Sequence, residues 1–112
     1  MSPEEIVIKQ LKAYNEGDIE TFVSAFSNDI ITYSQNDNKI LLNGMKEFRK
    51  RYEDLFNQNP ELHAELLNRM ILGNFVIDYE RVTGNKAADV IFAIAIYQVE
   101  AGLIKKAWFI RK

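Results

Sequence analysis

Apolar positions recur along this chain with two periods, and the places where the period changes divide it into elements. Val7, Leu11 and Tyr14 fall at helical spacing, with Lys9, Lys12 and Glu16 away from them, so the first element is an amphipathic helix. Ser2-Pro3-Glu4-Glu5 is its start signal: a serine N-cap, a proline in the first turn where a missing N–H costs nothing, and Glu5 placed to close a capping box. Gly17 ends it, and Asp18 caps a second, short helix with Ile19, Phe22, Val23 and Phe26 on its apolar face, stopped by Ser27-Asn28-Asp29. Between Ile30 and Gln35 the period falls to two, with Ile31 and Tyr33 on one side and Thr32 and Ser34 on the other, as in a half-buried strand. A polar turn, Asn36 to Lys39, leads to a short strand at Ile40-Leu41-Leu42. Gly44 and Asn59-Pro60 bracket a third helix, Met45 to Gln58, whose stripe is Phe48, Tyr52, Leu55 and Phe56.

The second half is strand-like throughout. Glu61 to Thr83 reads as a hairpin about Gly73-Asn74. Pairing Leu72 with Phe75 sets Ile71 against Val76, Arg69 against Asp78 and Leu67 against Glu80. Period two then groups His63, Glu65, Leu67, Arg69, Ile71, Val76, Asp78, Glu80 and Val82 on one face. From Val90 to Tyr97 every residue is apolar, which requires cover on both sides of the strand, and Leu103 to Ile110 is its antiparallel partner across Glu100-Ala101-Gly102. Within that strand Ala93 and Ala95 alternate with Phe92, Ile94 and Ile96. The small face leaves room for a cavity, and the bulky face needs a covering chain. Trp108 and Phe109 point to opposite sides, and one of them lines the cavity.

Composition narrows the function classes. A chain of 112 residues makes one domain, 1–112, able to bury a core without disulfides or metal. Its 14 Lys and Arg are interspersed with 16 Asp and Glu, so no basic face for nucleic acid is expected. With no cysteine there is no disulfide framework, thiolate nucleophile or soft-metal site, and the scattered carboxylates with one histidine make no recognisable metal set. The N-terminal residues lack a signal-peptide pattern and the run around Ile94 is too short for a bilayer, so a cytoplasmic protein without membrane contact is expected.

The order of elements resembles the nuclear transport factor 2-like superfamily, which includes the SnoaL-like polyketide cyclases and the ketosteroid isomerases. The residues that carry the resemblance are Tyr14 to Phe22 joining the first two helices, Phe26-Ser27-Asn28-Asp29, Gly44, Val76 to Gly84, and Ile96 to Glu100 with Gly102. It implies an α+β fold in which a cone-shaped, curved, mostly antiparallel mixed sheet wraps on three helices. It further implies a ligand pocket on the concave face, a small hydrophobic or carbonyl-bearing ligand without a cofactor, and a homodimer through the convex residues Phe92, Ile94 and Ile96, with Trp108 or Ile110. Matching from Gly17-Asp18 puts Gln10 in place of the isomerases' oxyanion-hole tyrosine, Ser34 in place of their base and Ala95 in place of their protonated acid. The isomerase apparatus is absent, although Tyr14 lies one turn beyond Gln10.

What remains is a polar group on the concave face. Arg69 opposite Asp78 makes a buried pair, and Glu80 lacks a partner, a situation that raises a carboxylate toward neutral pH. Glu80, Asp78 and Tyr14 are the candidate catalytic residues; Gln10, Ser34, Tyr52, His63, Arg69, Ala93, Ala95, Tyr97 and Trp108 are the candidate pocket residues. The competing reading makes the same alternation a solvated face, with Arg69 and Asp78 a surface pair worth up to ~1 kcal/mol. Three functions follow: a small-molecule-binding domain, an isomerase, cyclase or hydratase using Glu80 as general base with Tyr14 or Arg69 at the oxyanion, and a protein-interaction or assembly module.

Overall fold

The capping box forms as its residues dictate. In the computed structural model, which describes Met1–Lys112, the Ser2 hydroxyl accepts the Glu5 backbone N–H at 3.2 Å and the Glu5 carboxylate accepts that of Ser2 at 2.9 Å. Helix α1 (Pro3–Glu16) ends on Gly17 at φ 66°, a left-handed conformation that glycine adopts cheaply. Helix α2 (Ile19–Ser24) is capped by the Asp18 carboxylate, which accepts the Thr21 N–H at 3.1 Å, and α3 spans Met45–Gln58. No helix is long and apolar enough to cross a membrane.

Six strands, β1 (Phe26–Ser34), β2 (Lys39–Asn43), β3 (His63–Leu72), β4 (Phe75–Thr83), β5 (Ile91–Glu100) and β6 (Leu103–Arg111), form one sheet in the order β2-β1-β6-β5-β4-β3. All neighbours are antiparallel except β1 and β6, so the curved, unclosed sheet is mixed and the fold is the expected α+β cone. The continuously apolar strand is β5, flanked by β4 and β6. Its residues Ala93, Ala95, Tyr97 and Val99, with Val76 and Val82 of β4 and Ile104 and Ala107 of β6, are buried on the concave side beneath the helices. The helical stripes meet in one aromatic cluster: the Phe22 ring lies 4.9 to 6.0 Å from those of Tyr14, Phe26, Phe48, Tyr52 and Phe56. Such pairs add directional contacts to the area they bury.

The start of β1 corrects the sequence reading. Helix α2 stops at Ser24, and Phe26 opens the strand rather than closing the helix face. The polar Ser27-Asn28-Asp29 is absorbed by a register irregularity between Phe26 and Ile31 against β6. The buried side of β1 is Ile30 and Thr32, while Ile31 and Tyr33 lie on the other side, Ile31 half-buried and Tyr33 stacked on a neighbouring strand's ring.

Two further irregularities decide which side chains face the cone. The β3–β4 hairpin turns at Gly73-Asn74 and pairs Leu72 with Phe75, Ile71 with Val76 and Arg69 with Asp78, as expected. Then the register shifts: Glu80 faces Leu66, and Leu67 is the extra residue. One extra residue reverses every side chain beyond it. His63 and Glu65, expected on the concave face, are therefore exposed on the outside, and Ala64 is buried in their stead. The second shift, between Gln98 and Val99, sets Trp108 against Ile96 and Phe109 against Ala95. Trp108, expected in the pocket, is thus convex and stacks on Tyr33 at 5.4 Å; Phe109 takes the concave side.

Candidate functional site

Between the concave sheet face and the helices lies a cavity of about 360 Å³. Helix α1 contributes Gln10, Leu11 and Tyr14 to its wall, and α3 contributes Arg51, Tyr52 and Leu55. Thr32 comes from β1, Glu80 and Val82 from β4, Ala93 and Tyr97 from β5, and Phe109 and Arg111 from β6. Fourteen of the 20 lining residues are hydrophobic, so a ligand's body must be apolar and its polar atoms few.

Pairing across the sheet explains the alanines. Glu80 faces Ala93, and Asp78 faces Ala95, so each carboxylate has a methyl group beside it on the concave face rather than a bulky side chain. Next to the cavity, Asp78 is fully buried and accepts two hydrogen bonds from Arg69, at 2.7 Å from Nε and 2.9 Å from Nη2. That bond raises the Arg69 guanidinium above its ordinary value, and Glu4 of α1 stands 3.8 Å away on its other side. The surface-pair alternative is thereby excluded: this is a desolvated, two-pronged pair.

Glu80 is the unpaired member. It is 8% exposed, and burial pushes its carboxyl up to about 7, helped by the negative charge of Asp78 and opposed by Arg69 and Arg111. Three phenols share its surroundings. Burial raises Tyr14, Tyr52 and Tyr97 above the ordinary tyrosine value, and repulsion from ionised Glu80 adds to the shift in each, so all three keep their protons and can donate hydrogen bonds at neutral pH. Deeper polarity comes from Gln10 and Thr32, 3% and 1% exposed, whose amide nitrogen and hydroxyl find no partner within the protein. Buried polar atoms in that condition cost about 1–3 kcal/mol each, which a ligand's polar atoms can recover.

Of the residues singled out from the sequence, the fold brings Gln10, Tyr14, Tyr52, Glu80, Ala93 and Tyr97 to the cavity wall. Ala95, Asp78 and Arg69 lie next to that wall without lining it. Ser34 shares the concave face with Phe109, its register partner, and is half-buried beyond the lining. His63 and Trp108 are outside. The sequence reading missed Thr32, Arg51, Asn85 and Arg111. Asn85 is positioned because Asn59, at the end of α3, accepts the Lys86 backbone N–H at 2.8 Å and donates to the Leu55 carbonyl at 2.9 Å, tying the loop after β4 to the helix. No group of three His, Cys, Asp or Glu side chains is gathered where a metal ion could be held.

Solved structures share this fold. The model of the SnoaL-like domain matches residues 7–107. Among solved structures, a cystatin-fold protein of unassigned function from Novosphingobium aromaticivorans is similar at 25% identity and TM-score 0.89, covering 99% of each chain. An NTF2-like protein of unknown function from Cytophaga hutchinsonii is 13% identical over 100% of this chain and 91% of its own, with TM-score 0.83. IdmH of Streptomyces antibioticus, provisionally designated a polyketide cyclase, is 13% identical over 100% of this chain and 93% of its own, with TM-score 0.80. At 13% identity these likenesses speak for the fold alone. No protein of curated function matches the sequence. Because the domain model spans nearly the whole chain and the fold agrees with it, the chain belongs to the SnoaL-like domain family of the nuclear transport factor 2-like superfamily.

Proposed function

We propose that the domain binds a small, mostly apolar, carbonyl-bearing molecule in the cone and that Glu80 exchanges a proton with it. The observation that carries the proposal is Glu80 itself, a buried, unpaired carboxyl at the wall of a cavity of about 360 Å³, pushed up to about 7 by its burial. A carboxylate kept in an apolar cavity at that value is matched to proton transfer near neutral pH. The neutral Tyr14 hydroxyl supplies a hydrogen bond to the oxygen on which charge develops, and the apolar wall strengthens that bond by excluding water. Arg69 is unsuited to the oxyanion role because it does not line the cavity and its Nε and Nη2 are committed to Asp78. Asp78 acts on Glu80 through its charge. The chemistry available is removal of a proton next to a carbonyl and its return elsewhere, as in isomerisation or cyclisation.

A thermal-shift screen of small cyclic enones, aromatic acids and steroids tests binding. A ligand at a hundred times its dissociation constant stabilises by about 2.7 kcal/mol, a rise of several degrees in Tm. If no compound of a size to enter the cavity raises Tm, the binding reading is wrong. For a compound that is also turned over, Glu80→Gln should abolish turnover while leaving the far-ultraviolet circular dichroism unchanged; undiminished turnover would dismiss the proton-transfer role.

The convex face is the proposed dimer surface. Phe92 and Tyr79 are each 42% exposed with ring centroids 6.3 Å apart, and Ile94, Ile96, Trp108 and Ile110 adjoin them on β5 and β6. Contiguous aromatic and branched side chains of this kind suit a self-complementary twofold contact. Light scattering at micromolar concentration is expected to give twice the 13.0 kDa chain mass, and Phe92→Glu to return it to the single-chain value. A wild-type monomer would remove the dimer and leave the face to a different partner.

A further inference from the structure

The chain has five arginines, and their partners divide them into two groups. Arg49 pairs with Glu20, Arg69 with Asp78 and Arg81 with Glu65. The remaining two, Arg51 and Arg111, form no ion pair with any carboxylate, and both line the cavity. They arrive from different elements, α3 and β6, and both reach the lining of the same cavity. Both residues are exposed as well as lining, so they form the mouth of the cavity rather than its floor.

The sheet gives this mouth a measure. Glu80, Ala93 and Arg111 face one another in register across β4, β5 and β6. Acid and guanidinium therefore stand two strand spacings apart, roughly 9–10 Å between backbones, with only a methyl group between them. Arg111 makes no ion pair with Glu80 across that gap, which leaves the space over Ala93 open to a planar ligand group. Arg111 is steadied at its end by the Phe109 ring, whose centroid lies 4.8 Å from the guanidinium carbon.

Charge counting on the lining gives the sign of the ligand. The only charged lining residues are Arg51, Arg111 and Glu80, so the cavity has an excess of positive charge even with Glu80 ionised, although the whole chain carries a net charge of −2. A low-dielectric cleft focuses such a field on its opening. Two guanidiniums without carboxylate partners, beside an apolar chamber, match a carboxylate attached to an apolar body.

We propose that Arg51 and Arg111 form an anion-recognising mouth and that the natural ligand is an amphipathic carboxylate, its acid group on the two guanidiniums and its ring or chain in the cone. The inference rests on the ligand-binding reading of the cavity and adds to it the charge and orientation of the ligand. Held this way, the ligand's atoms next to the carboxylate lie over Ala93, within reach of Glu80.

Calorimetric titration with benzoate, cinnamate and naphthoate, each beside its neutral carboxamide, tests it. The acids are expected to bind about tenfold more tightly than the amides, the gain of one to two charge-assisted hydrogen bonds. Arg51→Gln and Arg111→Gln should each weaken acid binding by more than amide binding, so that the preference for the acid shrinks. Arg51→Gln should leave the unliganded Tm nearly unchanged, because Arg51 has no ion-pair partner in the protein, whereas Arg111→Gln also gives up the contact with the Phe109 ring. Amides that bind as tightly as the acids, or an acid preference that survives the double substitution, would overturn the anion mouth while leaving the binding cavity in place. If neither series binds at millimolar concentration, the binding reading itself fails and this inference falls with it.

Discussion

Arg69→Met is expected to cost about 3–5 kcal/mol of folding stability, because it removes one partner of a buried ion pair and leaves the other without compensation. Asp78 is fully buried, and its two carboxylate oxygens accept hydrogen bonds from Arg69 at 2.7 and 2.9 Å. Methionine fills much of the volume of the arginine stem but donates nothing. Adding Asp78→Leu should restore most of the loss, since a well-packed apolar pair often replaces a buried ion pair at little cost. Urea unfolding of the wild type and both variants gives the comparison directly. A loss below about 1 kcal/mol for Arg69→Met is what a solvated surface pair would give, and would contradict the burial of Asp78. The double variant removes from Glu80 both the Asp78 charge that raises it and the Arg69 charge that opposes the rise, so burial, the largest cause, still holds its carboxyl above the ordinary value.

That pair is legible in the sequence because the register near a two-residue turn is fixed by the turn, and Arg69 and Asp78 lie close to Gly73-Asn74. The capping box, the α3 stripe and the doubly covered β5 are legible for similar local reasons. An inserted residue reverses the face of everything beyond it, whether near a turn or far from one, and the sequence disguises both insertions. The extra residue in β3 falls at Leu67, beside Leu66; with two leucines adjacent, either register leaves an apolar residue at each position, and the slip that turns His63 outward makes no mark on the pattern. In β6 the extra residue falls at Lys105, beside Lys106, and two lysines hide it equally well. Counting on from the Glu100–Leu103 pair without it puts Trp108 opposite Ala95, in the cavity; with it, Trp108 faces Ile96 on the outside.

The site is harder to read than the fold for a different reason. Amphipathic patterns presume that buried means apolar, and a ligand cavity violates that presumption. Thr32 is 1% exposed on the concave face and lines the chamber, so an alternation that sorts residues by polarity sets it on the wrong side of its strand. Arg51 and Arg111 look like ordinary surface arginines in the sequence. Only the absence of acidic partners around them in three dimensions separates them from Arg49 and Arg81.

Glu80→Gln is expected to stabilise the protein, and only above acid pH. In the unfolded chain the Glu80 carboxyl has its ordinary value of 4.5, and in the fold about 7. Between those two values the folded state holds the proton more tightly than the unfolded one, so wild-type stability is intact below about pH 4.5 and falls as pH rises to about 7. The shift corresponds to roughly 3 kcal/mol, since each unit is worth about 1.4 kcal/mol. Glutamine cannot ionise and escapes that loss. The variant should therefore match the wild type near pH 4 and exceed it by roughly 3 kcal/mol at pH 8, with the gap opening across the interval between the two values. Urea unfolding at pH 4, 6 and 8 measures the gap, and a difference that stays constant with pH would mean that Glu80 is solvated and carries no perturbed proton. A gain of this size from an isosteric change means that the wild-type fold retains an ionisable group against its own stability. Structural roles are served as well or better by the amide, whereas proton exchange with a bound molecule requires the acid. The same substitution that raises Tm should for that reason abolish turnover, and the joint outcome separates a working carboxyl from a merely tolerated one.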